Sequence, residues 1–297
     1  MAWTEQRIRT FEQFFVELRG VVPTPTDPDT EYWFRGQSSA AWPLTPSFLR
    51  KSAHLPIDRA AAARLELEAL KAFQWQAHLF IKSDLLQRVR TRACWWALMQ
   101  HHRAPTRLLD WTISPFVAAY FAAQPSEDSS HGAVWCFCSR KLRHSFEAQH
   151  GDIPSFESDE APKWYVTMLD RLSATRSVLP LAFHQATSDR MVAQQCRFTM
   201  GFVLGERHDC IAESVGATHA RKLVIEHDSK REFLMRLREM NITASTLFPG
   251  VDGLGQSIGE LIAMGGDPAA NDPCTLGGTP DAMLSNLALH PTGATRS

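Results

Sequence analysis

The order of helical and strand-like segments constrains the fold of this 297-residue chain more than any other feature. An amphipathic helical pattern over TFEQFFVELRG precedes the β-prone segment EYWFRGQSS, and a largely helical block runs from about residue 57 to residue 100. Strand-like segments then return singly, separated by helices and loops. A doubly wound sheet needs a regular strand–helix–strand rhythm, which this sequence lacks, so the pattern predicts an α+β fold.

The chain after residue 105 supplies the remaining predicted elements. Ser114 caps a helix that starts with Pro115, in the run SPFVAAYFAAQ. Residues 1–264 are expected to form a single domain with the helical block inserted at about 57–100, and residues 265–297 a loosely ordered tail. The segments that predict strands are TRLLDWT, GAVWCFCS, MVAQQCRFTMGFVLG and KLVIEH.

Composition excludes several classes of protein. Apolar residues make up 44% of the chain, enough for a sizeable core, and the formal charge of −1 gives no overall field for nucleic acid. The six cysteines form no CxxC pair, so free thiols are expected rather than a metal site or disulfides. The sequence has neither a secretory signal nor a long apolar run, which predicts a cytoplasmic protein without a membrane span.

Arg35 ends an apolar strand-like run, in the sequence WFRGQ. A guanidinium at the rim of a buried strand needs an anionic partner. Its parallel N–H donors suit the phosphate or carboxylate of a ligand. A structural ion pair, for which Asp110 is the candidate, meets the same need, and the sequence leaves both interpretations open.

The run PTRLLDWTISP places polar groups directly before an apolar helix. In an extended strand, Arg107 and Asp110 would face opposite sides. Thr112 and Ser114 put two hydroxyls at a helix N-terminus, where free backbone N–H groups favour an anion. Ser114 equally fits a plain helix cap, so the hydroxyls alone do not establish a ligand site.

Two further polar positions stand near apolar runs. His101 either closes the helix before it through a hydrogen bond or transfers protons. Gln194 and Gln195 fall in a predicted strand, where they face opposite ways and one of them needs partners in a core or a cleft. An amide can bind a ribose hydroxyl but supplies no negative charge for a developing cation.

These motifs resemble those of the FRG domain family, which is named for its Phe-Arg-Gly. The resemblance spans about residues 10–262 and is strongest in PTRLLDWT. Arg103 and Cys196 stand where such sequences usually have glycine, so a turn with positive φ is harder to form at both positions. The matching segments are FRGQ at 34–37, the W-x-L-x-P-S run at 42–47, residues 100–112, AYFA at 119–122, AQQ with FT at 193–199, and LFP at 247–249.

The FRG layout in turn resembles ADP-ribosyltransferases of the Arg–Ser–Glu kind. That resemblance implies a split-sheet core with an added helical segment, and NAD as substrate. Arg35 would match the arginine of the first core strand, and the position of the later carboxylate falls near Gln194 or Gln195. The residues implied as catalytic are Arg35, Ser114 and Gln195, and those implied as nucleotide-binding are Arg35, Gly36, Gln37, His101, Arg107, Asp110, Thr112 and Gln194.

The missing glutamate leaves several functions open. A carboxylate normally stabilises the oxocarbenium-like cation that forms when NAD loses nicotinamide, and here Asp110 or Glu206 would replace it. The protein would then transfer ADP-ribose to a protein or nucleic-acid acceptor, or hydrolyse NAD, which would suit a bacterial toxin or phage-defence protein. Without catalysis it would be a module that binds a nucleotide, or a nucleic acid through the basic residues of 82–92. A metal-independent hydrolase using His101, Arg107 and Asp110 is a third interpretation.

Overall fold

The computed structural model describes residues 3–21, 30–81, 83–126, 128–155, 158–182 and 188–265. Their strands form one seven-stranded sheet. The strands are β1 (Thr4–Ile8), β2 (Tyr32–Gln37), β3 (Leu108–Thr112), β4 (Gly132–Cys138), β5 (Val178–Leu181), β6 (Cys196–Gly201) and β7 (Ala220–Ile225). In space they follow the order β1-β7-β4-β2-β3-β6-β5. β1 and β7 are parallel, and every other neighbouring pair is antiparallel.

Helices cover both faces of this sheet, and short 3₁₀ helices occur at His208–Cys210, Ala217–His219 and His227–Ser229. The α-helices are α1 (Phe11–Val21), α2 (Ser47–Ser52), α3 (Arg59–Ala77), α4 (Ser83–Arg88), α5 (Arg92–His101), α6 (Pro115–Ala123), α7 (Ser139–His150), α8 (Ala161–Arg171), α9 (Asp189–Ala193), α10 (Ile211–Val215), α11 (Lys230–Glu239), α12 (Ala244–Leu247) and α13 (Val251–Ala263). Among the described residues, none of these helices combines the length and apolar character needed to cross a bilayer.

The α+β class predicted from the sequence is confirmed, because a mixed sheet stands beside helices that do not alternate regularly with its strands. The predicted helical block at 57–100 contains α3, α4 and most of α5. The long strand predicted from Met191 is wrong at its start. Ser188 caps α9 there by accepting a hydrogen bond from the backbone N–H of Met191, and the strand begins only at Cys196. The predicted tail, apart from Gly265, lies outside the described residues.

The sheet opens between its two central strands. β2 and β3 are joined at one residue pair, Phe34 opposite Thr112, whereas β2 pairs with β4 along its whole length and β3 pairs likewise with β6. The strands therefore part on one side of the Phe34–Thr112 pair, and the backbone leaves a gap inside the sheet.

Three apolar clusters hold the layers together. One contains Phe34, Cys136 and Cys138 with residues of α1, α6 and α11, so the two cysteines share a strand face, as the alternation in VWCFC predicts. A second lies on the opposite face around Trp111 and Phe137, and a third joins α3, α5 and α8 to β5 and β6. No disulfide joins the five cysteines of the described residues.

Helix α6 lies unusually close to the sheet, because small residues meet at the contact. A Cβ atom at Gly36 of β2 would overlap the carbonyl oxygen of Ala118 and lie 2.7 Å from the Ala122 nitrogen. Gly132, at the start of β4, faces the backbone of Ala122 in the same way. The glycine of the FRGQ motif is therefore a packing requirement, since only a residue without a side chain lets α6 rest on β2.

A buried hydrogen-bonded chain crosses the sheet on its other face. The Trp111 indole N–H donates to Thr199 Oγ1 at 2.8 Å, and Thr199 Oγ1 forms a hydrogen bond with His208 Nδ1, also at 2.8 Å. Burial, together with the charges of Arg35 and Arg107, lowers the pKa of His208 to about 3. His208 is therefore neutral in the folded protein and must be protonated on unfolding in mild acid.

Replacing Gly36 with Ala is expected to lower the free energy of unfolding by about 3 kcal/mol, because the added methyl forces α6 away from β2. Gly255→Ala in α13 is the matched control, since nothing lies within 4 Å of its Cβ position. That variant is expected to gain about 0.5–1 kcal/mol from higher helix propensity. Urea denaturation measures the free energy of unfolding of both variants. Equal values for Gly36→Ala and Gly255→Ala would contradict the close contact of α6 with β2.

The protein is expected to lose stability as pH falls below 6.5, where the unfolded chain protonates its histidines but folded His208 stays neutral. The contribution of neutral His208 to the free energy of unfolding is complete above pH 6.5. It declines by about 1.4 kcal/mol for each pH unit below that value. Urea unfolding at pH 7.5 and 5.5 should therefore show a smaller loss for His208→Gln than for the wild type. Equal losses would contradict a neutral buried His208.

Candidate functional site

The gap between β2 and β3 opens into a cavity of about 240 Å³, which we call the cleft. It is bordered by the parting strands, by the C-terminal end of α5, and by faces of α6 and α9. Its lining residues are Phe34, Arg35, Gly36, Gln100, His101, Asp110, Trp111, Thr112, Val117, Phe121, Arg190, Met191, Gln194, Cys196 and Phe198.

Arg35 is the most buried charge of the cleft, with 16% of its side chain exposed. Its Nη1 donates to the backbone oxygen of Asp110 at 2.8 Å and lies 3.9 Å from the Asp110 carboxylate. Its Nε is buried and has no hydrogen-bond partner among the described residues. Burial lowers the pKa of the guanidinium and the Asp110 charge opposes this, so Arg35 gains from a further anion in the cleft.

The charges lining the cleft favour an anionic ligand. Among the described residues that line it, Arg35 and Arg190 provide two cations, and Asp110, half exposed, provides the one carboxylate. The Arg190 guanidinium lies over the Phe248 ring, 4.7 Å from its centroid, which fixes it at the wall. Sequence reasoning missed Arg190, because the strand it predicted began one residue later, at Met191, and no motif surrounds Arg190.

His101 lines the cleft beside these charges. Its Nδ1 lies 3.1 Å from Ser188 Oγ, so it forms a hydrogen bond between α5 and the cap of α9. Burial, with additional effects from His102 and Arg190, lowers the pKa of His101 to about 4. A neutral imidazole at pH 7 can exchange hydrogen bonds with a ligand but adds no positive charge.

A family model for the FRG domain matches residues 30–131. The chain contains an FRG domain. The match is narrower than the expected span of 10–262, and it includes β2, β3, α5 and α6 but ends before β4, β6 and α9. No curated protein and no solved structure matches the chain. The FRG domain thus supplies Arg35, His101 and Asp110, while Arg190 and Gln194 come from the part of the chain that follows it.

Arg107, in the PTRLLDWT run of the FRG domain, lies away from the cleft. It is buried and forms an ion pair with Glu66 of α3, with its Nε 2.9 Å from both carboxylate oxygens. Its Nη1 donates to the backbone oxygens of Gly201 and Phe202, and its guanidinium lies over the Trp96 ring. Through these partners Arg107 joins α3 to the sheet. It is not among the residues that line the cleft.

The hydroxyl groups of Thr112 and Ser114, at the junction of β3 and α6 in the FRG domain, form hydrogen bonds with nearby backbone N–H groups. Thr112 lines the cleft, and its Oγ1 accepts a hydrogen bond from the Ser114 backbone N–H at 3.1 Å. Ser114 Oγ accepts the Val117 N–H at 3.3 Å, which is the plain helix cap, and Ser114 is not among the lining residues. Gln37 is also outside the lining, with its amide nitrogen donating to the Pro43 carbonyl.

The two glutamines beyond the FRG domain have different environments. Gln194 is buried, lines the cleft and donates through Nε2 to the Leu247 carbonyl at 3.0 Å. Gln195 is exposed, lies outside the lining and has a φ of 50°. They lie at the end of α9, so the predicted alternation along a strand is wrong at these positions. The structure brings only Gln194 together with Arg35.

The two positions that depart from glycine behave differently. Arg103, directly after α5, has a φ of 65°, so the turn expected for glycine is formed by an arginine with some backbone strain. Cys196 begins β6, and the positive φ falls one residue earlier, at Gln195. Burial raises the pKa of the Cys196 thiol to about 12, which makes it a poor nucleophile in the cleft.

Arg107→Met is expected to destabilise the protein by about 3–5 kcal/mol, because it leaves the buried Glu66 carboxylate without its partner. The double variant Glu66→Leu with Arg107→Met should recover most of this loss, since it removes both charges. Arg143→Ala, at an exposed pair on α7, is the control and should change stability by less than about 0.5 kcal/mol. A double variant as unstable as the single one would contradict the pairing.

Proposed function

We propose that the cleft binds NAD and that the protein cleaves its nicotinamide–ribose bond, either transferring ADP-ribose or hydrolysing NAD. The observation that carries this proposal is Arg35, a buried guanidinium with an unpaired Nε at a gap inside the sheet. A diphosphate offers oxygen atoms to such a donor group, and Arg190 adds a second cation in the same wall. The ADP-ribosyltransferase-like core expected from the resemblance is part of this proposal.

The rest of the lining suits the remainder of a nicotinamide nucleotide. Phe34, Phe121 and Phe198 provide apolar faces for a flat heteroaromatic ring. Gln100 and Gln194 add amide groups that match a carboxamide or ribose hydroxyls. The cavity of about 240 Å³ is of a size for the nicotinamide ribose, with the adenosine end extending towards solvent.

Asp110 is the group proposed to stabilise the reacting sugar. When the C1′–N bond breaks, its electron pair goes to the pyridinium nitrogen and neutral nicotinamide leaves. A cation then develops on the ribose, and water or an acceptor hydroxyl adds to C1′ and releases a proton. Asp110 is the carboxylate that lines the cleft, whereas Glu206, the other candidate, pairs with Arg176 and lies outside the lining.

A non-catalytic nucleotide-binding module is the second candidate. It is favoured by the amide Gln194 at the cleft wall, because the resemblance to ADP-ribosyltransferases puts the later carboxylate near Gln194 or Gln195. The same anionic ligand would then bind through Arg35 without bond cleavage. Measuring binding and nicotinamide release separately distinguishes the two functions.

Asp110→Asn is expected to lower the rate of nicotinamide release by about 10²–10³. NAD affinity should not fall, because Arg35 is held by the Asp110 backbone oxygen and the variant removes a negative charge. Arg35→Lys should instead weaken NAD binding by about 10–100-fold, since lysine lacks the forked donors. Chromatographic quantification of nicotinamide and calorimetric titration of NAD measure the two effects.

Arg143→Ala, which removes an exposed arginine of α7, is the matched control. It should change neither the rate of nicotinamide release nor the affinity for NAD. Binding that depends on Arg35 without any nicotinamide release would assign the module instead of the enzyme. If NAD neither binds nor loses nicotinamide, Arg35 is a structural partner of Asp110 and the proposal is wrong.

A further inference from the structure

A second cavity, of about 500 Å³, lies between α3 and α5. We call it the α3–α5 groove. Phe73 and Phe80 line it from α3 and the turn that follows, and Met99, His102 and Pro105 line it from the other side. Among the described residues that line it, none is Asp, Glu, Lys or Arg. Its surface is therefore mostly apolar, in contrast to the charged cleft.

A large apolar side chain of this groove is exposed. Phe80, which lines the groove, is 83% exposed, and Leu79, which precedes it and is not among the lining residues, is 67% exposed. Apolar residues of this size at the surface are typical of sites where another molecule is bound. Aromatic residues are also enriched in protein–protein interfaces.

The sequence around the groove is basic. Residues 57–105 contain eight Lys or Arg and four Asp or Glu, whereas the whole chain has a formal charge of −1. Two of the four acidic residues are already paired, Glu66 with Arg107 and Glu68 with Lys71. Arg103 is exposed and directly follows His102 of the groove. An approaching acidic surface is therefore attracted to this side of the molecule.

We propose that the α3–α5 groove docks an amphipathic helix of a partner protein, with apolar residues on the inner face and Asp or Glu on the outer face. A groove between two helices accepts apolar anchors at helical spacing. A nucleic acid fits less well, because none of the described residues that line the groove is basic. A second copy of this chain also fits less well, since it would bring two basic segments together.

The α3–α5 groove adjoins the cleft. His101 lines the cleft and His102 lines the groove, with their ring centroids 4.8 Å apart. The Glu66–Arg107 ion pair also joins α3 to the residue that precedes β3, the strand of Asp110. A docked helix would thus be held beside the cleft mouth. This docking does not depend on whether the cleft cleaves NAD.

The test is a selection of phage-displayed helical peptides against the full chain, followed by fluorescence anisotropy of a labelled selected peptide. We expect the selected peptides to carry apolar residues at i, i+3 or i+4 and i+7, with Asp or Glu on the other face. Phe80→Ser should weaken binding at least tenfold, as should raising NaCl from 50 to 500 mM. Leu254→Ser, at an exposed aliphatic residue of α13, is the control and should leave binding unchanged.

Each alternative has its own readout with the same variants. Selection of no peptide, or of peptides whose binding tolerates Phe80→Ser, would overturn the proposal. Single-stranded RNA or DNA that binds in a Phe80-dependent way and displaces the peptide would assign a nucleic-acid surface instead. A dimer detected by sedimentation equilibrium and abolished by Phe80→Ser would assign a contact between copies.

Discussion

The contact of α6 with β2 at Gly36 is the constraint on which the centre of this molecule depends. Ala118 and Ala122 bring the α6 backbone so close to the strand that a Cβ at Gly36 has no room. Arg35, one residue earlier, is thereby held at the edge of β2, where the strand has lost its pairing with β3. In the Phe-Arg-Gly segment, the close packing of Gly36 on α6 thus also determines where the Arg35 guanidinium lies.

Two arginines of the FRG domain have opposite environments, although the sequence presents them alike. Arg107 reaches Glu66, two backbone carbonyls and the Trp96 ring, so its donors are used within the fold. Arg35 has a backbone oxygen, a loose carboxylate contact and an unpaired Nε. A buried charge with its partners present stabilises the fold, whereas one without them is suited to a ligand. This difference assigns Arg35, and not Arg107, to the cleft.

Local patterns predicted the elements well, because capping residues and apolar periodicity act over a few positions. The strand at YWFRGQ, the helix capped by Ser114 and the helical block before residue 100 were all expected. Long-range partners were not predictable: nothing in the sequence near Arg107 indicates Glu66, 41 residues away. Arg190 was missed because α9 is five residues long, too short for a helical period to show.

The central claim is that Arg35 binds an anionic ligand in the cleft. The Arg35 Nε–H group provides the most direct test of it. In a protein labelled with ¹⁵N at arginine, the Arg35 Nε–H resonance is identified by its absence from the Arg35→Lys variant. On titration with NAD, that resonance should shift downfield and become protected from exchange, because the Nε gains an acceptor. An unchanged Arg35 resonance at millimolar NAD, with the pair to Asp110 intact, would contradict the account.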